Sequence, residues 1–582
     1  MNRFSVWAPQ RKTVSVHVGG SVLPLIGPDD RGWWSLEHPT AGHGTDYTFR
    51  VDDDEADYPD PRSPWQPEGV HKTSRVYDHS LFQWTDKNFQ PTPLASAILY
   101  EMHVGTFTPE GTLDAAIAHL DYLVDLGITH VELLPIASFE GEHGWGYDGV
   151  ALFAPHEPYG GPDAAKRFVD ACHARGLAVL LDVVYNHFGP TGNYTGIFGQ
   201  YLNENHHTPW GSAINFESTG ADQSRRFFVD NVLLWLRDYH FDGLRLDAIH
   251  EYVDRSAIHI LEQMSSEVED LSAAMGKKLV LIGESDLNDP RVVTPRAANG
   301  LGLEAQWSDD FHHALFSLIT GEQAGYYVDY GDFEDLAKSL ESVFVFDGKY
   351  ARNRSRDHGR PVAGLSFHHF LGYVQNHDQV GNRAQGDRLS DMVSFEYAQI
   401  AAAIVLTAPF VPMLFQGEEW AASTPFQYFA DHQDPDLREN VAKGRKREFA
   451  AFGWKPEDVP NPEDPAAFHV SKLKWDEVEQ APHSTMLAWY RALIRLRRST
   501  PDLNRGEYGS VSVKIRAEFR TIEMVRHSVT TLVNLGETTQ TFPLESPATI
   551  LLANREGLDL QKGTLTLPPG TVAILEFRQG LG

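Results

Sequence analysis

The chain has 582 residues, 42% hydrophobic and 22% charged, the composition of a globular protein with room for several domains, which excludes disordered, collagenous and coiled-coil architectures. With 49 basic against 80 acidic residues the net charge is −31, a field that repels nucleic-acid phosphates and anionic membrane surfaces alike. Cys172 is the one cysteine, so an internal disulfide and any CxxC metal or redox centre are excluded. The amino terminus has no apolar stretch of secretory length, and no run of 18 apolar residues occurs anywhere, which predicts a soluble, cytoplasmic protein. Residues 1–85 alternate short apolar runs with Gly, Pro and Asp, as in Val14, Val16 and Val18, and predict an amino-terminal β-sandwich. From 86 to 499, apolar strand-like runs (97–104, 130–135, 178–186, 243–248, 279–284, 303–307, 372–376 and 411–415) alternate with helix-period segments at 112–126, 162–175, 222–239 and 256–275. Eight such runs predict an α/β fold, a (β/α)8 TIM barrel, with a doubly wound sheet as the alternative. Residues 187–221, rich in Gly, Asn, Tyr and Thr, form an excursion after the third strand. Residues 500–582 return to alternating runs and predict a carboxyl-terminal all-β domain.

The polar residues at the carboxyl ends of the predicted strands converge on one mouth, where barrel enzymes keep their chemistry. Asp182 with Asn186 and His187 closes the third strand, Arg245 and Asp247 the fourth, Glu284 the fifth, and His377 with Asp378 follows the seventh. A period of two puts Arg245 and Asp247 on one face of the fourth strand, giving a buried carboxylate a cationic neighbour that keeps it ionised. A lone acidic residue is most simply a solvated surface group. Four sets of polar residues at strand ends, in runs as apolar as LRLDAI and LVLIGES, would cost several kcal/mol if unpaired. Asp247 and Glu284 end consecutive strands, which lie about 4.8 Å apart, and carboxyls about 5 to 5.5 Å apart suit double displacement at a sugar carbon. The pattern therefore predicts a retaining glycosidase-type reaction with no metal and no cofactor.

Other motifs weaken on inspection. Residues 144–149, GWGYDG, formally match GxGxxG but open no helix and put bulky rings where a phosphate would approach. Trp145 and Tyr147 fit sugar stacking better, with loop packing as the plain alternative. His187, His250 and His377 belong to no HExxH pattern and read as structural or substrate-binding. Lys443, Arg445, Lys446 and Arg447 read as a solvated helix face.

Four regions, DVVYNH at 182–187, GLRLD at 243–247, the strand ending at Glu284, and VQNHD at 374–378, resemble the α-amylase superfamily of glycoside hydrolases and transferases. The resemblance implies that Asp247 is the nucleophile, Glu284 the general acid/base, and Asp378 the carboxylate that stabilises the transition state and grips sugar hydroxyls. It implies that Arg245, His187 and His377 hold the sugar beside the cleaved bond, that Tyr147 stacks beneath it, and that Asp182 supports the first region. In such proteins a structural calcium often lies near the residue matching Asn186. The longer stretches at 100–108, 143–149, 416–420, 424–429, 464–468 and 471–473 are similar to one family within it, the maltooligosyltrehalose trehalohydrolases. That likeness implies hydrolysis of the α-1,4 bond next to a terminal trehalose. After Asp247 the chain has Ala248, Ile249 and His250, where many amylases place a lysine before the histidine, so their reducing-end contacts do not carry over.

Two alternatives stay open. A glycogen branching enzyme has similar modules, although its first region usually lacks the ending seen at Tyr185, Asn186 and His187; a catalytically silent glucan-binding protein would not need all three carboxylates. For the leaving-group side, a site built to hydrogen-bond trehalose leaves its donors unpaired when a maltose end enters. Residues 350–360 and 418–432 are the candidate segments, with Arg354 and Trp210 as candidate contacts.

Overall fold

The computed structural model of the protein describes residues 2–577 apart from 363, 451, 452, 545 and 562; Met1 and the last five residues of the predicted carboxyl-terminal domain lie outside the described residues. The amino-terminal part is two facing sheets. Asn2–Trp7 pairs antiparallel with Trp33–His38, and a four-stranded sheet runs in the order Ser21–Pro24, Val14–Val18, Asp46–Val51, Ser74–Arg75. The period-two alternation read in the sequence turns Val14, Val16 and Val18 inward onto Phe4, Trp34 and Phe49. At the other end, a five-stranded sheet (Val511–Arg516, Thr521–Arg526, Val529–Asn534, Thr571–Phe577, Ala548–Ala553) packs with a three-stranded one (Gln540–Pro543, Thr564–Leu567, Asp559–Gln561) around Leu532, Phe542, Leu565 and Leu575.

Between them eight parallel strands close into a barrel: β1 Leu99–Met102, β2 His130–Leu133, β3 Ala178–Val183, β4 Gly243–Leu246, β5 Val280–Gly283, β6 Ala305–Trp307, β7 Phe370–Gly372 and β8 Val411–Phe415. Each pairs with its sequence neighbours and β8 with β1, so the doubly wound alternative is excluded. The strands are buried throughout because helices cover their outer face while the barrel fills its own interior. Leu99, Leu180, Ile282, Leu371 and Met413 form the floor of that interior, and the polar strand ends sit above it.

Several element ends differ from expectation, the third strand among them, read as 178–186 and ending at Val183. The seventh strand, read as 372–376, pairs only over Phe370–Gly372, because its partner β6 is three residues long and the ladder runs out. Asn376 then caps the short helix His377–Gly381 by accepting the Gln379 N–H at 2.7 Å. The first helix, read as one segment, breaks into Leu113–Ile117 and Leu120–Leu126 at His119, whose ring stacks on Trp475 at 3.9 Å. The excursion after β3 folds as a hairpin of Leu202–Thr208 and Gly211–Ile214. Among the described residues no helix is long and apolar enough to cross a membrane.

Candidate active site

The site is built around one guanidinium. Arg245, at 0% exposure, points inward from β4. Its Nη1 donates to Asp182 Oδ2 at 2.7 Å and to Asp247 Oδ1 at 2.6 Å, and Nη2 lies 3.6 Å from Glu284 Oε2. The guanidinium carbon sits 4.3 Å over the Trp307 ring. A buried cation with two charge-assisted bonds and an aromatic floor is held in one geometry, so three carboxylates from three consecutive strands are oriented by the same group.

Asp247 and Glu284 are opposite one another across the β4–β5 ladder, one step beyond the Leu246–Gly283 pair, with the Glu284 N–H donated to the Leu246 carbonyl. Asn186 donates its side-chain N–H to Asp247 Oδ2 at 2.7 Å, and its side-chain oxygen accepts from His187 Nδ1. Glu284 Oε2 accepts the Ala248 N–H at 2.6 Å. Burial pushes the Glu284 carboxyl well above the ordinary carboxylate range, against the pull of Arg245. Glu284 thus faces Asp247, which holds two strong donors. Ala248 adopts φ 40° and ψ 52°, a left-handed conformation costly for a residue with a Cβ, at the turn that delivers its N–H to Glu284.

Around this pair runs a chain of short hydrogen bonds. The Tyr147 hydroxyl donates to Asp182 Oδ2 at 2.6 Å and meets His377 Nε2 at 2.6 Å, and the two rings stack at 5.2 Å. His377 Nδ1 lies 2.5 Å from Glu101 Oε1, and its backbone N–H donates to Glu101 Oε2 at 2.8 Å. Burial works against a charged His377, but the charge and hydrogen bond of Glu101 outweigh it and raise the imidazole above its usual range. Burial, opposed by Arg245, pushes Asp182 up to about 6. Asp378, half-exposed at the mouth, accepts from Asn382 Nδ2 at 2.8 Å and lies 3.9 Å from His377 Nε2.

On one side of the pair a cavity of about 310 Å³ opens, lined by Asp286, Asp309, Tyr326, Asn353, Arg354 and Asp378 among others. Arg354 Nη2 donates to Asp286 Oδ2 at 2.8 Å, and burial pushes Asp309 up to about 6. On the other side His187, its ring pKa lowered by burial, stacks against Trp210 at 5.3 Å.

The structure therefore brings Asp182, Arg245, Asp247, Glu284, Tyr147 and His377 into one network, with Asp378 and His187 at its rim. Arg354 is at the cavity; Trp210 is not, because the hairpin that carries it folds over His187. Of the two leaving-side segments only the first lines the cavity; in the second, Glu418, Glu419 and Trp420 are buried against Tyr490, Tyr122 and Glu477. Trp145 is a packing residue, stacked on Phe426 and donating to the Gln427 carbonyl. In the basic cluster Arg445 is not solvated: it donates to Gly381 and Asn382 and covers the Tyr428 ring. Among the described residues no group of three or more His, Cys, Asp or Glu is arranged to hold a metal ion.

Sequence reasoning missed Glu101 and Trp307 as parts of this network. Glu101 carries the same signal as the others, a polar residue at the end of a barrel strand. Glu132, its register partner on β2, is also buried, with both carboxyl oxygens lacking a hydrogen-bond partner, and burial pushes its carboxyl well up.

The family model described as "Alpha amylase, catalytic domain" matches residues 74–208. A malto-oligosyltrehalose trehalohydrolase from Rhizobium sp. (strain M-11) is 46% identical over 581 residues, spanning 98% of this chain and 97% of that one. One from Arthrobacter ramosus is 51% identical over 504 residues, spanning 86% and 87%. The crystal structure of a protein from Salmonella typhimurium assigned as an alpha amylase superimposes with a TM-score of 0.91 at 36% identity, covering 99% of this chain and 97% of that one.

Proposed function

The chain belongs to the malto-oligosyltrehalose trehalohydrolase family, glycoside hydrolases of the α-amylase type, and from that premise we propose that it releases trehalose from maltooligosyltrehalose by double displacement, with Asp247 and Glu284 as the reacting pair. Glu284, neutral through burial, donates its proton to the glycosidic oxygen as the bond to trehalose breaks. Asp247, oriented by the donors of Arg245 and Asn186, attacks the anomeric carbon and forms a glycosyl ester. Water, deprotonated by Glu284 now acting as base, then opens the ester, and configuration is retained over two inversions. Tyr147 and His377 form a rigid wall for the reacting sugar, and Asp378 takes its hydroxyls.

The observation that supports trehalose as leaving group is the open cavity beyond Asp286 and Asp378, dense in hydrogen-bonding groups. A trehalose end is compact and offers hydroxyls to Arg354, Asn353 and the carboxylates together; a maltose end leaves some of them unpaired. Each unpaired buried group costs about 1–3 kcal/mol, so two or three give roughly a hundredfold preference. The test is kcat/KM for trehalose-capped and uncapped oligosaccharides of equal length. A preference of that order for the capped chain is expected. Equal values, or transfer to a 6-hydroxyl in place of trehalose release, would overturn the reading.

A further inference from the structure

The Glu101–His377–Asp378 arrangement has a counterpart on the other side of Tyr147. His432 is held by Glu463 as His377 is held by Glu101: its backbone N–H donates to Glu463 Oε2 at 3.2 Å and its Nδ1 lies 2.8 Å from Oε1. The His432 side chain is 5% exposed and that of Glu463 2%. The remaining ring nitrogen, Nε2, is buried without a hydrogen-bond partner and points at Asp148 Oδ2, 3.7 Å away. Asp148 follows Tyr147 in the chain and is 33% exposed. Its backbone is clamped: a Cβ at Gly189 would sit 2.0 Å from the Asp148 carbonyl, so only glycine allows this approach. Two buried Glu–His pairs thus each present an aspartate to the mouth, one on either side of the Tyr147–His377 wall. Asp148 does not line the cavity assigned above to trehalose, and its charged neighbours are His432, Glu463 and His187. An imidazole fixed at one nitrogen and unsatisfied at the other, next to a partly exposed carboxylate, is a donor–acceptor pair matched to adjacent hydroxyls of a pyranose.

We propose that Asp148 and His432 bind the glucosyl unit one step further from the cleaved bond on the non-reducing side, so that this chain recognises a second sugar of the glucan through a carboxylate–imidazole pair. Glu463 is the positioning residue that orients His432. This rests on the reading of the reaction given above, because it takes trehalose to leave through the Asp286 cavity.

The experiment compares glucosyltrehalose, with one glucosyl unit before the cleaved bond, and maltosyltrehalose, with two. In the wild type the second unit raises kcat/KM. In Asp148→Asn, and independently in His432→Gln, that gain is expected to fall about ten- to hundredfold, the loss of a hydrogen bond to a charged group. Glu463→Gln, which keeps the shape, should show a smaller loss of the same chain-length signature. An unchanged ratio of the two substrates in both the Asp148 and His432 variants, with wild-type melting temperatures, would overturn the assignment. Failure of the wild type to release trehalose from either substrate would instead overturn the reaction itself.

Discussion

A single guanidinium, that of Arg245, ties together the carboxyl groups of three consecutive strand ends at the mouth. Asp247 receives one of its N–H groups and an Asn186 donor, whereas Glu284 is 3.6 Å from it and accepts a backbone N–H instead. Burial raises the Glu284 carboxyl against the pull of Arg245, which suits the acid of a nucleophile–acid pair. Glu284→Gln keeps the shape and the Ala248 contact but removes the proton. Its kcat on a substrate with a poor leaving group should fall by several orders of magnitude while binding and the melting temperature stay close to wild type; near-normal turnover in a folded variant would remove Glu284 from the acid role. In the proposed reaction Glu284 acts first as acid, so kcat/KM should decline on the alkaline side as it ionises. These carboxylates were legible in the sequence because charged residues inside apolar strands are conspicuous. The contacts of Asp148 with His432 and of Glu101 with His377 were not, since each joins residues far apart in the sequence that no local pattern connects.

At the scale of elements, β3, β4 and β5 carry their polar residues at the end of an apolar run, and that pattern, with the helix periodicity between runs, was enough to place most of the barrel. What it could not place were the ends. β7 stops where its neighbour stops, a fact of pairing rather than of its own residues, and the helix broken at His119 answers to a ring that follows β8. The amino-terminal end of the barrel shows a second buried network that no motif announces. His173, ending the helix Gly161–His173, bridges Asp86 Oδ2 at 2.8 Å and Asp242 Oδ2 at 2.9 Å, and Lys277 Nζ reaches Asp242 Oδ1 at 2.6 Å. Burial alone would lower the His173 pKa, but its hydrogen bonds to Asp242 and Asp86 outweigh that and raise it. A folded-state pKa above the unfolded value of about 6.5 contributes stability that is fully present below that pH and is lost as pH rises through the folded value. His173→Gln should therefore cost about 3 kcal/mol or more near pH 6, in the range for breaking a buried pair, and the gap in melting temperature to wild type should narrow as pH rises on the alkaline side. A gap that stays constant across that range would show that the histidine acts only by packing.

Over the whole molecule, the leading sheets are joined to the barrel by specific polar contacts: Trp33 Nε1 to Gln223 at 2.8 Å, Arg62 to Asp230 at 2.7 Å and Trp65 Nε1 to Glu157 at 2.8 Å. The sandwich texture of residues 1–85 was legible from alternation; its docking was not, because each contact pairs a residue of one fold with a helix or loop of another. The net charge of −31 suits a neutral sugar polymer, which is neither attracted nor repelled. The central claim is that Asp247 and Glu284 carry out a double displacement that frees trehalose. Proton NMR of maltosyltrehalose turnover, followed from the first seconds, tests it most directly. The account predicts that trehalose and the α anomer of the released maltose appear together, the β anomer growing in later by mutarotation; β-maltose as the first product would mean single inversion and would contradict it.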